Sequence, residues 1–203
     1  VLTFSWQKVL GGEAAHGMLV LSPRAFVRLE AYQPLWPIPK ILRLKGPAGV
    51  LRDAFEGVTI NTPSMLCVED YADALRWVDQ VGGLSALVAR ADANAAIIYD
   101  WVARTPWIDV LAADPKTRSN TSVCLRVADA EFGSRNESER LAFVQSMVDL
   151  LDKEGVAHDI NAYRGAPAGL RIWCGATIEA RDLALLTKWL DWAFDEVKAG
   201  KTS

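Results

Sequence analysis

The sequence predicts a mixed α/β chain in two parts: an N-terminal part of short apolar strands and a long proline-rich loop, and a C-terminal α+β lobe. Three observations support this. Apolar residues make up 51% of the 203 and charged residues 23%, a balance that fills a buried core and excludes a disordered chain. From residue 107 onward, short β-branched runs alternate with amphipathic stretches in the order β-β-α-β-β-α, the pattern of helices packed on an antiparallel or mixed sheet. Ahead of that lobe, residues 84–104 read as one helix that stops before Pro106. At about 1.5 Å per residue it is long enough to connect two lobes. The boundary is therefore placed near Thr105, giving parts 1–105 and 106–203.

Residues 1–6 read as a strand rich in β-branched and aromatic side chains, followed by a turn at Gly11-Gly12. Residues 17–22 hold Met18-Leu19-Val20-Leu21, a fully apolar run suited to a buried strand. Ser22-Pro23 is a helix-start signal, with serine as cap and proline at the first helical position, so 25–31 is predicted helical. Pro34, Pro37 and Pro39 exclude an interior helix or a central strand around Leu35 and Trp36. Together with the glycine-containing stretch 44–57 they predict a long irregular loop. A helix opens at Pro63 or Ser64, with Leu66, Tyr71, Leu75, Trp77 and Val78 on its apolar face, and runs to Gly82-Gly83. In the second part, 108–111, 122–127, 156–161 and 170–174 read as strands. Residues 137–154 read as a helix with Leu141, Val144, Val148 and Leu151 on one stripe, and 178–198 as the last helix.

Composition excludes several classes of function. Lysine and arginine number 22 against 25 acidic residues, a net charge of −3, which removes the broad electrostatic case for nucleic acid. Cys67, Cys124 and Cys174 are odd in number and sit among apolar neighbours. That argues against a disulfide scaffold and for a reducing, cytoplasmic compartment. No apolar run reaches the roughly 18 residues of a membrane-spanning helix. The chain opens on an apolar β-like run with no positively charged region before it, as a strand entered midway in a longer protein would. Two histidines and isolated cysteines form no metal constellation, no Ser-His-Asp order marks a hydrolase, and the glycine pairs form no nucleotide motif.

Four features carry candidate chemistry. Lys8 lies at a strand end beside Trp6 and before Gly11-Gly12. It is either a solvated residue or an amine that apolar surroundings make reactive toward carbonyls. Asn61 and Thr62 precede a helix, where they either cap it or hold an anion. Arg171 enters an apolar strand, where a guanidinium needs a carboxylate or phosphate partner, from a structural ion pair or a ligand. Arg164 lies in the preceding loop. His16 follows the Gly12 turn near Lys8.

The segments Ser5-Trp6-Gln7-Lys8-Val9-Leu10-Gly11-Gly12-Glu13, Ile60-Asn61-Thr62-Pro63-Ser64-Met65-Leu66-Cys67-Val68-Glu69-Asp70 and Gly169-Leu170-Arg171-Ile172-Trp173-Cys174-Gly175, in this order and joined by the Trp36 loop, resemble the phosphoserine aminotransferases. The resemblance covers essentially the whole chain. That family has the fold-type I architecture of pyridoxal-phosphate enzymes. The resemblance thus implies that 1–105 is the C-terminal portion of the large parallel-sheet domain, which binds pyridoxal 5'-phosphate, with an interdomain helix. Residues 106–203 would be the small α+β domain. It implies transfer of an amino group between glutamate and 3-phosphohydroxypyruvate, giving 2-oxoglutarate and phosphoserine, in serine biosynthesis, by a cytoplasmic homodimer without nucleic-acid or membrane partners.

On the same footing, Lys8 is the Schiff-base lysine that also moves the proton, with Ser5 and Gln7 as polar contacts to the cofactor. Asn61 and Thr62 grip the cofactor phosphate of the neighbouring subunit. Arg171 binds the substrate α-carboxylate, Arg164 helps to hold its phosphate, and His16 is a further substrate contact. Some family members carry histidine where Tyr163 precedes Arg164 here. Family chains are nearly twice this length, so the aromatic residue stacked on the cofactor ring and its acidic partner would lie outside this chain, which alone is expected to be inactive. Two other readings stand beside this one: another class V enzyme, of the serine–glyoxylate aminotransferase or desulfurase kind, or a catalytically inactive C-terminal module.

Overall fold

A computed structural model describes residues 1–13 and 17–200 of the chain, which divides into two compact units, Val1–Trp77 and Val78–Ser203.

In the first unit, β1 (Leu2–Phe4) pairs antiparallel with β2 (Met18–Val20), Thr3 opposite Leu19. The apolar run at Met18 was expected to be a buried strand, and all three of its strand residues are exposed. A two-stranded ribbon has no further layer to cover its faces. Helix α1 (Pro23–Ala31) starts as the sequence requires: Pro23 opens it and Ser22 Oγ accepts the Ala25 N–H at 3.2 Å. Its last carbonyls are met by a cation, since Lys45 Nζ donates to the carbonyls of Glu30 at 2.5 Å and Tyr32 at 3.0 Å, the favourable end of the helix for positive charge. The expected loop is not structureless. It holds 3₁₀ turns at Lys40–Leu42 and Arg52–Phe55, and a short hairpin of β3 (Lys45–Gly46) and β4 (Gly49–Val50). Helix α2 (Met65–Val81) follows.

The second unit takes in the last residues of α2 and then α3 (Gly83–Arg104), which ends where the chain turns extended at Thr105 ahead of Pro106, as the steric demand of proline on its predecessor dictates. The helix read as a connector is packed here, burying Leu87, Ala91, Asn94, Ala95, Ile98, Trp101 and Val102. Three strands, β5 (Ile108–Val110), β6 (Ser122–Val127) and β7 (Gly169–Trp173), form one antiparallel sheet in that order. Between them come α4 (Ala130–Ser134) and α5 (Glu137–Lys153). Helix α5 carries a reciprocal cap between Asn136 and Glu139, which satisfies two free N–H groups at once. Helix α6 (Ala180–Lys198) closes the unit.

The sheet alternates as a half-buried sheet must. Ile108, Val110, Val123, Leu125, Val127, Leu170 and Ile172 point into a core shared with Ile98, Met147, Leu151 and Leu190, while Asp109, Cys124, Arg126 and Arg171 line the other face. Leu141, expected on the buried stripe of α5, is half exposed, while Val144, Val148 and Leu151 are buried. Residues 156–161 were expected to be a strand, yet only Asn161 bridges Leu170. Gly155 at φ +66° precedes the run and Asp159 at φ +51° interrupts it. Among the described residues every strand pair is antiparallel, and no single helix is long and apolar enough to cross a membrane.

Candidate active site

The first group of candidate residues belongs to the first unit. Trp6 is buried and stacks on Tyr71 of α2, ring centroids 4.3 Å apart and planes 14° from parallel. The chain folds back over this indole: Gly11 N–H donates to Lys8 O at 3.1 Å and Gly12 N–H to Trp6 O at 3.2 Å. A Cβ at Gly12 would collide with the Trp6 ring, so glycine is the residue this close approach admits. Lys8 therefore rides on a turn and is exposed. The apolar contact expected of it is made by Trp6, two residues earlier. Ser5 and Gln7 flank the turn half-buried, Ser5 Oγ accepting the Gln7 N–H at 3.4 Å.

Asn61 and Thr62 lie exposed in the segment leading to α2. Neither caps the helix. That position is taken by Ser64, whose Oγ accepts the Cys67 N–H at 3.5 Å and whose carbonyl accepts the Val68 N–H at 3.2 Å. Thr59 Oγ1 donates to the Asn61 carbonyl at 2.6 Å and shapes the approach. Capping, the plain alternative for these two residues, is thereby removed. His16 lies outside the described residues.

The second group belongs to the second unit. Arg164 is exposed on a tight turn in which Ala166 N–H donates to Tyr163 O at 2.9 Å and Gly165 takes φ +81°. The turn forms one wall of a cleft of about 460 Å³. Gln145 and the exposed Leu141 of α5 line the opposite side, and Asn161 lies beside them with its Nδ2 donating to Gln145 Oε1 at 3.2 Å. A cation, a phenol and two amides over an apolar floor suit a small anion with a polar tail.

Arg171 sits on β7, its N–H donating to Ile160 O at 2.8 Å. Its Nη2 donates to Asp159 Oδ2 at 3.1 Å and Asp159 O at 3.4 Å. Its Nε is buried and meets no acceptor among the described residues. Tyr163 links the two arginines, since it lines the cleft and its ring centroid lies 5.8 Å from Arg171 Cζ. The glycine that begins β7 is held by packing, because a Cβ at Gly169 would strike the Leu125 carbonyl.

Sequence reasoning missed Asp159, Gln145 and Asn161 as site residues. The signal for Asp159 was present: aspartate is one of the few side chains that tolerate the left-handed region, and it stood inside a run read as a strand. The thiols are not exposed nucleophiles. Cys67 and Cys174 are buried, and burial pushes the Cys174 thiol up to about 12.

No protein-family profile matches the chain. Over 98% of its length it is 52% identical to the phosphoserine aminotransferase of Methanosarcina mazei, of which it spans 51%. Among solved structures, pyridoxal-phosphate-bound phosphoserine aminotransferase from Trichomonas vaginalis superposes on 68% of this chain and 36% of its own, with a TM-score of 0.56 at 16% identity. A cysteine desulfurase from Escherichia coli covers 92% of this chain and 44% of its own, with a TM-score of 0.51 at 16% identity. The chain thus shares a fold with these enzymes and spans about half the length of the curated relatives it matches.

Proposed function

We propose that the chain belongs with the phosphoserine aminotransferases and that the full-length enzyme carrying it moves an amino group between glutamate and 3-phosphohydroxypyruvate to give phosphoserine. The observation that carries this reading is the 52% identity maintained over 98% of the chain. We take the enzyme to be a cytoplasmic homodimer, with 1–105 belonging to its large domain and 106–203 forming its small one.

The residues present fit pyridoxal 5'-phosphate by their chemistry. Lys8 offers an exposed primary amine for an aldehyde, and Asn61 and Thr62, not spent on capping, keep an amide and a hydroxyl for a phosphate. When bound, the cofactor supplies an electron sink for charge developing at the substrate α-carbon. Lys8 Nζ holds it and moves the proton, Ser5 and Gln7 orient that turn, and Asn61 and Thr62 bind the phosphate from across the dimer. Arg171 takes the substrate carboxylate through its guanidinium. Arg164, in the cleft with Tyr163, favours the phosphorylated end, and His16 is a further substrate contact.

The fold likeness to a cysteine desulfurase does not favour that chemistry here, because it needs an accessible thiolate, whereas Cys67 and Cys174 are buried and Cys124 is half-buried on β6. The test is transamination by the full-length enzyme, followed as phosphoserine formation. Borohydride is expected to bleach its near-visible absorbance and fix the cofactor on Lys8. Lys8→Ala is expected to abolish turnover while leaving the circular dichroism spectrum unchanged. Turnover in that variant above a trace, or label found on another lysine, overturns the assignment.

A further inference from the structure

We infer that Asp159 is the positioning residue for Arg171, taking the guanidinium by its Nη2 corner and so setting the plane in which the rest of the fork meets the incoming carboxylate. The inference rests on the reading of Arg171 as the carboxylate ligand, and several observations lead to it. Asp159 is the one non-glycine residue at positive φ among the described residues. That conformation ends the extended run before Ile160, whose carbonyl is then fixed to the Arg171 N–H at 2.8 Å. The aspartate is thus pinned by its neighbour beside the arginine, and both its carboxylate and its carbonyl accept from Nη2.

The contact is a poor stability device. The Asp159 side chain is 90% exposed, and such pairs add little to folding free energy. Finally, Nε is buried without an acceptor among the described residues, so the hydrogen bonds that orient the guanidinium there are those of Nη2 to Asp159. A guanidinium recognises a carboxylate through a planar fork, so fixing one corner sets the plane in which the others are offered.

Two substitutions separate positioning from a purely backbone role, because both accept the left-handed conformation. Asp159→Gly removes the side-chain acceptor, and Asp159→Asn keeps one side-chain oxygen. In the cofactor-loaded full-length enzyme, Asp159→Gly is expected to raise KM for both glutamate and 3-phosphohydroxypyruvate about fivefold or more, with the change falling on KM rather than kcat. The dissociation constant of 2-oxoglutarate measured by calorimetry is expected to rise with it. Asp159→Asn is expected to recover most of both. Arg171→Ala serves as the reference. If Arg171→Ala is impaired and Asp159→Gly keeps wild-type KM and dissociation constants, positioning by Asp159 is overturned and the reading of Arg171 stands. If Arg171→Ala itself leaves KM unchanged for both substrates, the reading of Arg171 falls and the inference falls with it.

Discussion

The two units build strands from similar residues and bury them to opposite degrees. Leu2, Phe4, Met18, Leu19 and Val20 stay exposed in the β1–β2 ribbon, whereas Val123, Leu125, Leu170 and Ile172 of the second sheet are each 1% exposed. Local sequence explains why both form strands, since both are apolar and β-branched or aromatic. It does not explain burial, which depends on layers. The second unit has a third strand and three long helices whose apolar faces meet on the sheet. The ribbon has one partner strand, and its apolar faces meet little else.

The sharpest way to break this contrast is to remove equivalent apolar volume from each unit. Ile98, fully buried in α3, and Leu19, 37% exposed in β2, make the pair. Ile98→Ala is expected to cost about 2–5 kcal/mol, the cost of lost transfer energy and a cavity. Leu19→Ala is expected to stay within about 0.5 kcal/mol, as exposed substitutions do. Urea unfolding of the chain measures both. Equal losses would mean that the ribbon is covered in solution and that the difference between the units is not one of layering.

The same contrast decides what the sequence revealed. The helix starts were legible because their signals are local: Ser22-Pro23 for α1, and the stop of α3 ahead of Pro106. Helix and strand periodicity placed β5, β6, α5 and α6 to within a few residues. The failures are non-local or conformational. Burial of Met18–Val20 requires knowing whether a second layer exists, and Leu141 faces the cleft only because the 161–169 segment returns beside α5. The strand expected over 156–161 is broken because Asp159 takes positive φ, a choice that alternation of apolar and polar residues does not register. Among the candidate residues, Lys8 in the first unit and Arg164 and Arg171 in the second are marked by the sequence itself. Asp159 is not, because its importance comes from contact with a residue 12 positions later in the sequence.

A smaller effect sharpens the picture of the second unit as one built around satisfied polar groups within apolar packing. Trp101 and Trp107 are nearly fully buried, and both indole N–H groups converge on one carboxylate, Asp191, at 3.2 and 2.9 Å. Trp107 also stacks on Phe194 with ring centroids 4.3 Å apart. Replacing Asp191 with leucine strands two donors, and stranded buried donors carry their full desolvation penalty. The expected loss is about 2 kcal/mol in urea unfolding. Asp191→Asn, which retains one acceptor oxygen, is expected to lose less. If Leu and Asn behave alike, the carboxylate is not what holds the two indoles.

The smallest expected effect concerns charge. Asp129 caps α4, accepting the Phe132 N–H at 3.1 Å, and also receives Lys198 Nζ at 2.6 Å. The hydrogen bond from Lys198 holds the Asp129 carboxyl below its ordinary 3.8, and the same contact raises the Lys198 ammonium above 10.5. The signs fix the window. The depressed carboxyl contributes stability that is fully present above 3.8 and is lost as the pH falls through its folded value, whereas the raised ammonium contributes stability that is fully present below 10.5 and is lost as the pH rises through its folded value. Between these limits the contribution is flat. Lys198→Met is therefore expected to lower the urea midpoint slightly at pH 7, and the gap from wild type is expected to close as the pH drops below 3.8. A gap that persists unchanged to pH 2 would show that the lysine acts through its contact with Phe194, over whose ring its ammonium lies at 5.4 Å, and not through its pairing with Asp129. The matched control lies in the first unit, where Arg52 and Glu30 approach at 3.7 Å with both side chains largely exposed. Arg52→Met is expected to leave the midpoint unchanged at every pH, because a long, solvated pair of this kind adds almost nothing to the fold.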